Sequence, residues 1–236
     1  MFSRKIVLKI SGEALNFKKG RDIDIDLVKQ LADDLGYLSR SGVKILVVIG
    51  GGNFSRGYEL ANFGLNKIVA DSVGMMSTVI NSLVLQDILK QSGVSSFLYS
   101  SFQISHLCQL YNVEVANRNV EDGHIVIVGG GTGVPCFTTD MAAALRAVEI
   151  KADALIKLTK VDGVYDKDPV QSDAVFYSTI SYDEILKKGI PIMDFASVIL
   201  CKENSIPIYV ANMKRIRELC QIIDEKKIGT IICRDV

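Results

Sequence analysis

Histidine is almost absent from this chain, with two in 236 residues, at positions 106 and 124. A histidine-rich metal cluster is excluded on that count, and each histidine reads as a surface or packing residue. The five cysteines, at positions 108, 136, 201, 220 and 233, form no C-x-x-C pair. That scatter argues against a zinc site and a disulfide framework, and it fits a cytoplasmic location. Neither sign of charge is in excess, since 27 Lys and Arg face 27 Asp and Glu for a formal net charge of +0. A chain so balanced has no long-range pull on nucleic acid, so no such partner is expected. Weak net charge is also compatible with self-association. No run of eighteen apolar residues escapes a charge or a glycine, and the opening MFSRKIVLKISGE carries Lys5 and Lys9 inside its apolar stretch. Neither a membrane span nor a signal segment is therefore expected.

What is present is an alternation of short β-branched runs and longer helical ones, in a chain 48% hydrophobic and 23% charged. KIVLKI (5–10) reads as a first strand. Leu27, Val28, Leu31, Leu35 and Leu38 form a helical stripe, with Asp24 or Asp26 as its cap. A buried strand ending at Gly50, a long helix over 67–91 and a strand in VSSFLYS follow. Residues 102–123 read as connector with short helix. HIVIV, ADALIKLT, IPIYV and GTIIC read as further strands. Helices are expected from Asp140, which suits an N-cap, from Ser181, from Asp194 to about Asn204, and over 213–224. KVDGVYDKDP has the D-G and D-P pairs of turns around a small hairpin. The sum is a single α/β unit over 1–236, a three-layer α/β/α sandwich with a mostly parallel sheet and helices on both faces.

Open parallel sheets bind ligands at the carboxyl ends of their strands, and three polar loops stand there. In Lys9-Ile10-Ser11-Gly12 a lysine within an apolar strand must take its amine to something polar. Snorkelling from an edge strand would serve, but the serine and glycine that follow suit phosphate contact. Gly50-Gly51-Gly52-Asn53, with Arg56 beyond, can form a nest of N–H groups for an anion, with Arg56 adding a charged fork. A flexible turn explains one glycine better than three. Gly129 to Gly133 again exposes backbone. Thr132, Thr138 and Thr139 offer hydroxyls, and Asp140 stands at a helix start, where plain capping and a functional role can coexist. Two glycine runs and a lysine suggest two phosphorylated groups. None of these loops is a G-x-x-x-x-G-K-[ST] or G-x-G-x-x-G motif, and no G-x-S-x-G elbow occurs. Asp162, Asp166 and Asp168 could touch a sugar or magnesium, or only shape turns.

These same stretches, together with ADSVGMMSTVINSLVLQD, GTGVPCFTTDMAAALRAVEI, KLTKVDGVYDKDP and MDFASVILCKENSIPIYV, closely resemble the bacterial uridylate kinases of the amino acid kinase superfamily, nearly end to end. The resemblance implies the carbamate kinase-like fold and transfer of phosphate from ATP to UMP with Mg2+. It also implies a homohexamer in the cytoplasm that serves pyrimidine biosynthesis. By matching motif, Lys9, Ile10, Ser11, Gly12, Gly52, Arg56, Lys157, Thr159, Tyr165 and Asp168 would hold ATP. Gly51, Asp71, Thr132, Gly133, Val134, Pro135, Cys136, Phe137, Thr138 and Thr139 would hold UMP, Asp71 reading its sugar. Lys9, Arg56 and Asp140 would form the catalytic centre. The N-terminal part would then mainly bind UMP and the C-terminal part mainly ATP. Val134 and Cys136 depart from the usual asparagine and phenylalanine, which bears on contacts with the base. Bacterial members are often activated by GTP and inhibited by UTP; that regulation is implied too, although 101–119 departs from the family pattern. The rival readings are a kinase for another small acceptor, such as carbamate, and a nucleotide-binding storage or sensor protein on the same scaffold.

Overall fold

Eleven strands and six α-helices alternate along the residues that the computed structural model describes: 4–15, 23–54, 62, 64–171, 173–219 and 229–234. In chain order they are β1 (Lys5–Ile10), a 3₁₀ turn (Gly12–Leu15), α1 (Ile25–Arg40), β2 (Lys44–Ile49), α2 (Lys67–Gln91), β3 (Ser96–Ser100), β4 (Gln109–Leu110) and α3 (Val113–Glu121). Then come β5 (Ile125–Gly129), α4 (Thr139–Glu149), β6 (Ala154–Thr159), β7 (Val164–Tyr165), β8 (Phe176–Tyr177), β9 (Thr179–Ser181), α5 (Tyr182–Lys188) and α6 (Phe195–Glu203). β10 (Ile208–Asn212), a second 3₁₀ segment (Met213–Glu218) and β11 (Thr230–Cys233) complete them.

Nine strands form one sheet in the order β4-β3-β5-β2-β1-β6-β10-β11-β9. Every neighbouring pair is parallel except β10 with β11. β7 and β8 form a separate antiparallel pair, the small hairpin expected around Asp162 to Pro169. The central strands are apolar along both faces because both are covered. Ile6, Leu8 and Ile10 of β1 point into a core with α1 and α2, while Val7 joins the core on the opposite face with α3, α4, α5 and α6. The expected three-layer arrangement is thus the one observed.

Two expectations are corrected. Asp140 is not the cap of α4. Thr138 is, its hydroxyl accepting from the N–H groups of Asp140 (3.1 Å) and Met141 (3.2 Å), which releases the Asp140 carboxylate for contacts across the sheet. The helix expected over 213–224 is a 3₁₀ segment from Met213 to Glu218, and 220–224 lies outside the described residues. Asp24, of the two candidates, caps α1.

α2 is long and apolar enough by composition to cross a bilayer, with a mean hydropathy of 1.6 in its most apolar window. Here it packs one face on the sheet, burying Ala70, Val79, Leu85, Ile88 and Leu89. Ile68, Val69, Val73, Met76 and Ile80 remain exposed on the other side.

Candidate active site

The register of β1 and β6 pairs Lys9 with Lys157. Parallel partners in register project to the same face, here the face on which α4 lies. Ala142, Ala143, Ala144 and Ala147 of α4 are all buried. Their small side chains let the helix settle close to β1, which delivers its first turn to the two lysines. Lys9 Nζ lies 2.8 Å from Asp140 Oδ1, and Lys157 Nζ lies 2.9 Å from Oδ2. Lys157 also donates to the carbonyl of Ile192.

All three side chains are at most 14% exposed. Burial works to raise the Asp140 pKa, but the two ammonium groups outweigh it and hold the carboxyl below its usual range. Burial lowers Lys157, partly offset by Asp140. Removing the carboxylate would leave two buried cations facing each other; breaking a buried pair of this kind costs about 3–5 kcal/mol. The cluster carries one more positive than negative charge, so it presents a cation to whatever adjoins it.

What adjoins it is a cavity of about 470 Å³, walled by Gly51 and Gly52 on one side, Gly131, Thr138 and Thr139 on the other, and Asp71 and Phe137 beyond. Gly50 to Gly52 follow β2, and Gly130 to Gly133 follow β5, so both turns sit at carboxyl ends of neighbouring central strands. Gly12, in the turn after β1, packs against Gly50 and Gly52. Ile10 is fully buried, and its carbonyl accepts from the Gly50 N–H at 2.8 Å. The structure thereby brings together Lys9, Ser11, Gly12, Gly51, Gly52, Asp71, Thr138, Thr139, Asp140 and Lys157. Arg56 lies outside the described residues.

The loop 132–137 runs from the second glycine turn to Phe137 in the cavity wall. The Thr132 hydroxyl donates to the Val134 carbonyl at 3.0 Å and accepts from its N–H at 3.2 Å. Gly133 lies against Ser101, and Pro135 is half-buried beside the exposed Val134, Cys136 and Phe137. Cys136 is held at φ 73°, and its N–H donates to Asp71 Oδ2 at 2.9 Å. Lys67 reaches the same oxygen at 2.7 Å, and that hydrogen bond is the chief cause of a lowered Asp71 pKa. Thr138 donates to Asp194, which caps α6 through the N–H of Ser197.

A second cavity of about 460 Å³ lies between the β7 turn and 188–192, lined in part by Tyr165 and Asp168. Lys157 borders this region through its bond to Ile192. Thr159 uses its hydroxyl within its own turn, donating to Val161 O at 2.7 Å. Asp166 and Asp168 accept from the N–H groups of Val175 (2.8 Å) and Val170 (3.0 Å), and Asp162 accepts from the Asn212 amide at 3.0 Å. Asp166 and Asp168 therefore shape their loop, one of the two roles their spacing allowed, while Asp162 ties the loop to the end of β10.

The donor set suits a magnesium ion that arrives on phosphate oxygens rather than one caged by protein. No group of three or more His, Cys, Asp or Glu side chains gathers among the described residues. The carboxylate paired with both lysines is Asp140, whose Oδ1 is a buried oxygen without a well-formed hydrogen bond. One carboxylate plus substrate phosphates is an ordinary arrangement for Mg2+.

Sequence reasoning missed several residues that hold these loops. Ser101 donates to Gly131 O at 2.6 Å and accepts from Arg146 at 3.2 Å. Arg146, 4% exposed, also pairs with Glu149 and lies 4.0 Å over the Tyr111 ring. Thr78 and Asn81 of α2 reach both glycine turns. The available signal was polar residues interrupting the apolar run MMSTVINSLVL.

The sequence profile described as the amino acid kinase family matches residues 4–212. A uridylate kinase of Histophilus somni is 43% identical over 98% of this chain and 97% of that protein, and one of Dichelobacter nodosus is 41% identical over 97% and 95%. Among solved structures, a UMP kinase from Bacillus anthracis superposes with a TM-score of 0.93 at 30% identity, covering 99% of this chain and 97% of the other.

Proposed function

This chain belongs to the amino acid kinase family, and from that membership we propose that it phosphorylates UMP to UDP with ATP as donor. The observation that carries the reading is the Lys9–Asp140–Lys157 cluster, positively charged overall, at the wall of a cavity between two glycine turns. The relatives' names favour UMP as acceptor; neither carbamate nor a storage or sensor role is favoured by them.

The acceptor phosphate is largely ionised near neutral pH and needs little help from a base, so positioning and charge carry the reaction. A phosphate oxygen of UMP attacks the γ-phosphorus of ATP. The bond from that phosphorus to the β,γ-bridging oxygen breaks, and ADP leaves with the electron pair. Lys9 offsets charge on the transferred group. The main-chain N–H of Gly52 faces the donor phosphates, and those of Gly51 and of the turn after β5 face the acceptor. Asp140 keeps the two lysines in place and takes no proton, consistent with its lowered pKa. Asp71 holds the UMP ribose once it exchanges the Lys67 and Cys136 contacts for sugar hydroxyls. The cavity around Tyr165 and Asp168 takes the adenosine, so the N-terminal part mainly handles UMP and the C-terminal part mainly ATP. Mg2+ bound on the ATP phosphates would supply further screening of negative charge.

A cytoplasmic homohexamer serving pyrimidine biosynthesis belongs to the same reading. The exposed apolar stripe Ile68, Val69, Val73, Met76 and Ile80 along α2 supports association between subunits. GTP activation and UTP inhibition are tested by adding each nucleotide to the same assay.

That assay measures ADP release with UMP, CMP, carbamate and acetylglutamate. UMP-dependent release is expected; release with carbamate or acetylglutamate and none with UMP would overturn the assignment. Lys9→Ala should cut kcat by about 100-fold with little change in UMP binding. Asp71→Ala should instead raise KM for UMP. Near-normal turnover in the first variant, or unchanged UMP dependence in the second, would remove the corresponding role.

A further inference from the structure

Both glycine turns lean on one helix. Asn81, 1% exposed, sits inside the apolar core side of α2. Its amide donates to the Gly50 carbonyl at 2.7 Å and to Asn53 Oδ1 at 2.7 Å, and its oxygen accepts from Asn53 Nδ2 at 3.0 Å. Thr78 is three residues earlier, on the same face of the helix, and 3% exposed. Its hydroxyl accepts from the Gly130 N–H at 2.7 Å and donates to the Met75 carbonyl at 2.7 Å.

One turn of α2 therefore grips the carbonyl that opens the first glycine run and an amide within the second. Polar groups buried in an apolar helix are costly unless partnered, and here the partners are the two turns themselves. Thr78 also lines the 470 Å³ cavity, but its proton and an oxygen lone pair are committed to main chain, so the hydroxyl bears on the site through Gly130.

We propose that Thr78 and Asn81 are positioning residues, and that α2 is a shared brace that fixes the separation between the donor-phosphate and acceptor-phosphate turns. The inference rests on the UMP kinase reading. In-line transfer requires the attacking oxygen and the γ-phosphorus to be held at near-attack distance, and small displacements by groups remote from the chemistry reduce the rate steeply. A brace common to both turns sets that distance once, from a single rigid element. If the turns were held independently, each would relax alone.

Thr78→Val keeps the branched shape and leaves the Gly130 N–H buried without an acceptor. Thr78→Ser keeps the hydroxyl and drops only a methyl. With both nucleotides saturating, Thr78→Val is expected to lower kcat by about 10- to 100-fold. KM for ATP should stay within about twofold, and Thr78→Ser should return kcat to within about threefold of the parent. Thermal unfolding of each variant, run alongside, gives the folded fraction to which kcat is referred. A folded Thr78→Val with parental kcat and KM values would overturn the brace. So would a Thr78→Ser as slow as Thr78→Val, because the loss would then follow packing and not the hydroxyl. If Thr78→Val does not fold, Thr78→Cys, of similar size and a weaker acceptor, takes its place. An intermediate kcat is expected there, and parental kcat is the overturning result. A parent chain that releases no ADP with UMP would defeat the kinase reading, whereas a working parent beside an unimpaired Thr78→Val defeats the brace alone.

Discussion

The two glycine runs look alike in sequence, yet they need glycine for different reasons. Gly50 to Gly52 keep ordinary negative φ, whereas Gly130, Gly131 and Gly133 all lie in the left-handed region. At Gly51 the constraint is space. A Cβ there would stand 2.7 Å from Ser77 Cβ, 2.8 Å from Gly74 O and 3.0 Å from Thr78 N, all on α2. At Gly131 the constraint is conformation. Its φ is 58°, and the nearest atom to a Cβ would be Met75 Cγ at an unremarkable 3.6 Å. At these two positions the first turn is pressed onto its brace and the second is bent to hold its shape; Gly130 and Gly133 are both bent and crowded, a Cβ standing 2.8 Å from Phe102 Cε1 and 2.8 Å from Ser101 O respectively.

The largest effect should come from violating the first constraint. Gly51→Ala forces its methyl into helix backbone, a crowding that costs about 1–3 kcal/mol, and displaces the turn beside Lys9. We expect kcat to fall by about 100-fold together with a lower Tm. Removing the Ser77 side chain as well, in Gly51→Ala with Ser77→Gly, should restore little, because Gly74 O and Thr78 N stay where they were. Full recovery in that double variant would show that the close approach is to a side chain and not to the helix itself.

The second constraint predicts a graded response. Gly131→Ala meets no steric barrier but carries the left-handed strain of about 1–2 kcal/mol. That corresponds to a loss of about 5- to 30-fold if it is expressed in acceptor-side kcat/KM. Gly131→Asn should lose less, since asparagine tolerates that region. The ordering Asn above Ala is the check, and it should be absent at Gly51, where asparagine is larger and must be worse. Equal losses at both positions would erase the distinction between the two runs.

The outer support of the second turn gives a smaller effect. Ser101→Ala removes the donor to Gly131 O and the acceptor for Arg146; the Arg146 contact is a loss of overall stability, while the bond to Gly131 O, worth about 1 kcal/mol or about fivefold, is the part that reaches the turn. It should appear in KM for UMP and spare KM for ATP, because Ser101 touches only the second run. A matching rise in KM for ATP would place the two turns under common control from the sheet edge as well as from α2.

These contrasts explain which parts of the molecule could be read from the chain. The seven inner strands of the sheet were legible because apolar, β-branched runs are bounded by turn residues within a few positions; the two edge strands, β4 and β9, were not, being only two and three residues long. The long helix 67–91 was legible to its termini, since its apolar content and bounding turn residues are local. The polar loops were legible as anion sites for the same reason. What holds them was not. Thr78 meets Gly130 across 52 residues, Asn81 meets Gly50 across 31, and Arg146 meets Ser101 across 45. Polar residues within the apolar run of α2 mark that something is gripped there, but nothing local says what, because the partners are distant in sequence. Asp140 was misread as a cap since the first turn of α4 holds Thr138, Thr139 and Asp140 together, and only the packed sheet decides which one turns inward. Asp166 and Asp168 show the converse: carboxylates beside a cavity accept from main-chain N–H groups of their own loop.

The mildest effect separates the cation cluster from both turns, because it changes the pH profile and not the rate at neutrality. Burial lowers the Lys157 pKa from 10.5, so its proton leaves at a lower pH in the folded enzyme than in the unfolded chain. Between those two values the unfolded state binds more protons, and this group's contribution to stability rises with pH. Activity should move the other way, because a neutral Lys157 leaves Asp140 facing Lys9 alone and the cluster loses its excess positive charge. The kcat/KM profile of the parent, which reports the free enzyme, should therefore turn down with a midpoint below 10.5, without a parallel loss of Tm assignable to Lys157. Lys157→Arg keeps its charge at these pH values and should lack that limb even if its neutral-pH rate is reduced. The glycine variants should keep the limb and scale the whole profile. An alkaline limb unchanged in Lys157→Arg would assign it to another group and leave Lys157 as a strut between Asp140 and the Ile192 carbonyl.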